Sequence, residues 1–163
     1  MAPTLLNSCA KAATAQEALF RIDAPIPSRD GTRVIALDDT AATVVKRLSH
    51  RVSATHLLTV PEGGITVGGD LVVHSLDGGN LNLAAELAGA DLVVMVATAD
   101  ADPIAADLIA SGCSSRGIMT AGVILQGGRP DGAAVNALRP HAGVLMISSD
   151  GSDVAEVLSA LRA

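Results

Sequence analysis

Aromatic side chains are almost absent: Phe20 is the only one in 163 residues, and there is no Trp or Tyr. Such a chain has no stacking platform for nucleobases. Its formal net charge of -6 also opposes a phosphate backbone as partner. The one basic cluster, Lys46, Arg47, His50 and Arg51, gathers toward a helix end, where a run of charge reads as a solvated face. Cysteine is nearly as scarce. Cys9 and Cys113 form no CxxC, so a thiol metal site or redox pair has no basis, and two idle thiols suit a cytoplasmic chain. No apolar run is long enough to span a bilayer, the longest being Leu92–Ala97. "LLNSCA" (5–10) is similar to a lipoprotein cleavage site but lacks the preceding apolar region. GxGxxG, GxxxxGK(S/T) and GxSxG signatures are missing too. Nucleic acid and membrane are therefore not expected partners; a small molecule or a protein is.

What is present is aliphatic. The chain is 49% hydrophobic, mostly Ala, Val, Leu and Ile, and 17% charged, which excludes disorder. Residues 1–30 read as an N-terminal arm, with a short helix over 12–20 and the loop "APIPSRDG" (24–31). Residues 31–163 read as a single α/β domain. Strands are expected at 33–37, 55–60, 70–76, 91–98, 117–125 and 143–148, with a short one at 65–67. Helices are expected at 40–52, 80–90, 102–112, 131–141 and 152–163. The strands are continuous apolar runs, the pattern of a parallel sheet covered on both faces. The expectation is a three-layer doubly wound Rossmann-like domain of about five or six mainly parallel strands, with helices on both faces.

Ligands of such sheets bind beyond the carboxyl ends of the strands. Those ends are Asp38-Asp39-Thr40, Pro61-Glu62-Gly63-Gly64, Asp77-Gly78-Gly79-Asn80, Thr98 to Asp102, Gln126-Gly127-Gly128-Arg129 and Ser148 to Ser152. Asp102 before Pro103 reads as a helix N-cap, with Pro at the first helical position. Asp131, Asp150 or Ser152, and Asn80 have the same explanation. Asp38 and Asp39 cannot both cap one helix; a carboxylate pair there can hold Mg²⁺ or simply project into solvent. Phosphate binding needs glycines and free N–H groups opening a helix, and Asp77-Gly78-Gly79-Asn80 fits best, with Gln126–Arg129 second because Arg129 adds a positive charge. Gly-Gly pairs also serve as plain turns. His56 and His74 lie within strands as core histidines, His50 and His141 fall at helix ends, and no nucleophilic triad is visible. The Ala-rich helices 80–90 and 102–112 leave small-residue faces that could pack between subunits of a homo-oligomer.

"GADLVVMVA" (89–97) resembles the strand before the glycine-rich signature of the tubulin/FtsZ family. "IAADLIASGCSSRGIMTAGVIL" (104–125) and "GAAVNALRPHAGVLMISSD" (132–150) resemble the helices and strands that follow it, and "RVIAL" (33–37) its first strand. The resemblance implies that family's nucleotide-domain topology. The family's GGGTGTG loop belongs at residues 98–103, where "TADADP" stands, and "DDTAAT" (38–43) replaces its first glycine-rich loop. Acids there repel phosphates, so the implied topology comes without GTP hydrolysis. Asp38-Asp39, Asp77 and Thr98 also resemble the acid pair, phosphoacceptor and switch residue of receiver domains, although Gln126 replaces the expected base. The favoured expectation is a small ligand- or partner-binding domain without catalytic machinery. The alternatives are a Mg²⁺-dependent enzyme acting on a phosphorylated molecule through strand-end carboxylates, and a receiver-like or oligomeric scaffold.

Overall fold

The computed structural model describes residues 30–51, 55–64, 69–125 and 131–161. The arm before residue 30, the strand expected at 65–67 and the loop Gln126–Arg129 lie outside the described residues. The elements run β1 (Thr32–Ala36), α1 (Asp39–Leu48), β2 (His56–Thr59), β3 (Val72–Ser75), β4 (Asn80–Asn82), α2 (Leu83–Ala88), β5 (Leu92–Thr98), α3 (Pro103–Ser114), β6 (Met119–Leu125), α4 (Ala133–Leu138), β7 (Val144–Ser148) and α5 (Asp153–Leu161).

The described strands form one sheet of seven, in the order β4-β3-β2-β1-β5-β6-β7. β2, β1, β5, β6 and β7 are parallel. β3 and β4 run antiparallel to their neighbours, so the expected mainly parallel sheet is mixed and wider than anticipated. Chain direction explains the layers. From β1 the chain steps one way to β2 through α1, and from β5 it steps the other way to β6 and β7 through α3 and α4. Right-handed crossovers in opposite directions put their helices on opposite faces. Ile35, Leu58, Val73, Val93, Met95 and Ile124 accordingly pack under α2, α3 and α4. Val34, Ala36, Val94, Val96 and Val123 pack under α1 and α5. β5 explains its own centrality: Leu92 through Ala97 are fully buried, as an unbroken aliphatic run covered on both faces must be.

Three sequence expectations change. The helix expected over 80–90 starts at Leu83, because Asn80-Leu81-Asn82 pairs with β3 as an edge strand. Ser75 carbonyl oxygen accepts from Gly78 N–H at 2.9 Å, and Gly78 takes φ +90°, a conformation that glycine adopts without strain. Asp77-Gly78-Gly79-Asn80 is thus a hairpin turn, and Asn82 rather than Asn80 caps α2, accepting from Ala85 N–H at 3.2 Å. α3 continues through Gly112 to Ser114, so Cys113 sits buried in its last turn instead of beyond it. α4 opens at Gly132 with no side-chain cap; Asp131 does not serve as one.

Gly132 fits because it has no side chain. A Cβ there would lie 2.5 Å from the Ala99 carbonyl oxygen, at the loop where Ala134 N–H bonds that same oxygen at 3.2 Å. Gly132→Ala should lower unfolding free energy by about 1–3 kcal/mol in urea at unchanged slope, the usual result of overpacking. An unchanged midpoint would show that the loop yields freely. Burial pushes the Cys113 thiol pKa up, against smaller opposing effects from its hydrogen bond with Thr120 and from the Arg116 charge. Cys113 in the folded chain should resist iodoacetamide at pH about 8.5, where an exposed thiol is half ionised. Peptide mapping that finds Cys113 alkylated as fast as in urea would contradict that burial.

Candidate functional site

β1 and β5 are adjacent, and the chain leaves their carboxyl ends in opposite directions. That makes the gap between their end loops the topological switch point of the sheet, where open α/β sheets bind ligands. A cavity of about 450 Å³ lies there, walled by Asp38, Asp39 and Thr40 after β1, Pro61 to Gly64 after β2, and Thr98, Asp100, Ala101 and Asp102 at the end of β5 and beyond it. Leu37, Val60, Leu71 and Ala105 form its apolar floor.

Asp38 is the hinge of this arrangement. One carboxylate oxygen accepts from Ala41 N–H at 2.8 Å, capping α1. The other accepts from Thr98 N–H at 2.7 Å, sixty positions further along the chain. The carboxylate therefore joins the start of one helix to the end of the central strand. Asp39 opens the first turn of α1 and is exposed. Across the cavity Asp102 caps α3, accepting from Ile104 N–H at 2.9 Å, with Pro103 at the first helical position. Both helices that open on this crevice thus have an N–H group answered by the chain's own carboxylates. Asp39, Glu62, Asp100 and Asp102 remain exposed, and among the described residues no Lys, Arg or His lines the cavity.

The expected site residues divide. Asp38, Asp39 and Thr98 meet in this crevice, joined by Glu62, Asp100 and Asp102. Asp77, Gly78, Gly79 and Asn80 do not. β3 runs against β2, with Leu58 paired to Ser75 and Thr59 to His74, so its end loop lies at the opposite edge of the sheet. The Gly78-Gly79 turn joins two strands and opens no helix, which removes the geometric premise for a phosphate there. Asp77 instead lines a separate cavity of about 470 Å³ with His56 and Glu86. Glu86 is anchored there by Arg33 Nε at 2.9 Å, and the same oxygen lies 3.1 Å from His56 Nδ1. His56 is mostly exposed and is not the core histidine expected. Gln126, Gly127, Gly128 and Arg129 lie outside the described residues. For Mg²⁺, Asp38 and Asp39 do not present a joint donor set. Asp38 gives both oxygens to backbone amides, and no three or more His, Cys, Asp or Glu side chains converge among the described residues.

Sequence reading missed one constellation. His141 Nδ1 lies 2.9 Å from Ser114 Oγ, and its Nε2 lies 3.7 Å from Asp107 Oδ1. The order Ser, His, Asp has the outline of a nucleophilic relay. It sits, however, at the carboxyl end of α3, where the helix dipole opposes an oxyanion, and none of the described cavities includes Ser114 or His141. The contact ties the end of α3 to the loop between α4 and β7. No sequence signal marks it, since Ser114 and His141 are 27 positions apart.

Among the described residues no helix is long and apolar enough to cross a membrane. No protein-family model matches this chain, and no curated protein matches it either.

Asp38→Ala removes a cap and a charge-assisted hydrogen bond together. It should cost about 2–4 kcal/mol of unfolding free energy, while Asp39→Ala should change it by about 0.5 kcal/mol or less. Equal effects of the two substitutions in urea would contradict the role given to Asp38.

Proposed function

We propose that this chain is a binding domain whose switch-point crevice takes a small cationic or hydroxyl-rich molecule, and that it does not hydrolyse nucleotides. The supporting observation is the place of the Asp38 carboxylate. In a nucleotide site the loop after the first strand leaves backbone N–H groups free for phosphate. Here Asp38 accepts from Ala41 and Thr98, and Asp102 accepts from Ile104. A phosphate would compete with two fixed carboxylates for those donors and meet Asp39, Glu62 and Asp100 on approach. An amine or a guanidine meets the opposite situation: acceptors on several walls and an apolar floor.

The same reasoning departs from the active members of the tubulin/FtsZ family, whatever topology is shared. It also gives the Mg²⁺-dependent enzyme little support, because the acids that would hold the ion are engaged or dispersed around the rim. The reading takes the chain as a cytoplasmic domain, in keeping with its buried free thiol at Cys113. Its partner is a small molecule held in the crevice.

Calorimetric titration tests the reading, with spermidine against GTP and Mg²⁺. Spermidine should bind saturably and GTP should not. Asp100→Asn combined with Glu62→Gln should weaken spermidine about tenfold, whereas Asp77→Asn, at the opposite edge, should leave it unchanged. Tight GTP binding, or equal weakening by Asp77→Asn, would overturn the proposal.

A further inference from the structure

α1 carries opposite charge at its two ends. Its first turn faces the acidic crevice, and its last turn and the residues just beyond hold Lys46, Arg47, His50 and Arg51. Arg47, in the last turn, and Arg51, four positions on and just past the helix end, line the same cavity of about 430 Å³, between α1 and the loop that opens α5. Val44 and Leu48 form its apolar side, and Asp150, Gly151 and Ser152 face them. Like charges four residues apart repel. Complementing the α1 dipole accounts for Arg47 in the last turn, but that effect fades within a turn and Arg51 lies past the helix end. Neither guanidinium has an ion pair or hydrogen bond among the described residues, in a chain of net charge -6. The nearby acid does not answer them either. Asp150 Oδ1 accepts from Ser152 N–H at 2.9 Å and from Ser152 Oγ at 2.6 Å, and these bonds hold its carboxyl below the usual carboxylate range.

We propose that this cavity is a second binding site, for a small multiply charged oxyanion such as pyrophosphate or a phosphate monoester. Two guanidinium groups match a dianion in charge, and a guanidinium fork can give paired N–H donors to an oxyanion. Leu48 and Val44 give the bound molecule an apolar wall. The site is independent of the switch-point crevice: it lies at the other end of α1 and has the opposite sign. It needs no group outside the described residues.

Inorganic pyrophosphate titrated into the full chain by calorimetry tests this. Saturable binding at one site is expected. Arg47→Ala and Arg51→Ala should each weaken it about tenfold, the effect of losing one charge-assisted pair. Asp150→Asn should tighten it, since a negative charge leaves the cavity wall. Arg116→Ala removes an exposed guanidinium bonded to the Gly112 carbonyl oxygen elsewhere on the surface, and should have no effect. Thermal unfolding of each variant verifies that it is folded. Absence of saturation overturns the proposal. So does binding that survives both arginine substitutions, or that falls equally in Arg116→Ala and thereby reports bulk charge.

Discussion

A single carboxylate closes the architecture at its centre. Asp38 holds the first turn of α1 with one oxygen and the last residue of β5 with the other. Those two elements belong to connections that leave the sheet in opposite directions, and nothing in the crossover geometry alone holds their tips together. A carboxylate between two backbone N–H groups is strong for its size, because each bond is charge-assisted and partly shielded from water. The parallel pairing of β1 with β5, from Thr32–Leu92 to Ala36–Val96, brings the tips close, and Asp38 locks them.

The same interaction decides the chemistry of the rim. A helix N-terminus at a switch point is a ready anion seat, unless the chain fills it first. Asp38 and Asp102 fill both seats that open on the crevice. Asp39, Glu62 and Asp100 then add charge of the same sign, and no cation among the described residues lines the cavity to balance them. The cations of α1 lie instead at its far end, across from the start of α5. One helix thereby separates two electrostatic environments, acid at its beginning and base at its end. That polarity runs with the helix dipole, with Asp39 in the first turn and Lys46 and Arg47 in the last, so it stabilises α1.

Much of this could be read from residues alone. Continuous aliphatic runs such as Leu92–Ala97 gave a covered parallel strand, and Asp102-Pro103 gave a helix start, because both signals are local. The hairpin of β3 and β4 was hidden. Asn80-Leu81-Asn82 is too short to show a period, and the apolar residues of α2 follow without a break, so helix and strand merge in the pattern. Strand direction was hidden for the same reason. An apolar run reads alike in either sense, and β3 runs against β2, which puts Asp77–Asn80 at the edge opposite the expected site. The second bond of Asp38 and the Ser114–His141 contact were beyond reach. Each joins residues that only the folded sheet makes neighbours.

The most direct check of the central bond is amide hydrogen exchange at Thr98, followed residue by residue in ¹⁵N-labelled protein. With the Asp38 carboxylate accepting its N–H, that amide should exchange as slowly as those inside β5, although it ends the strand beside an open cavity. It should become fast in Asp38→Ala while Val94 and Met95 stay protected. Rapid exchange at Thr98 in the unaltered chain would mean that the carboxylate does not hold it, and the proposed preference of the crevice for cations would lose its structural basis.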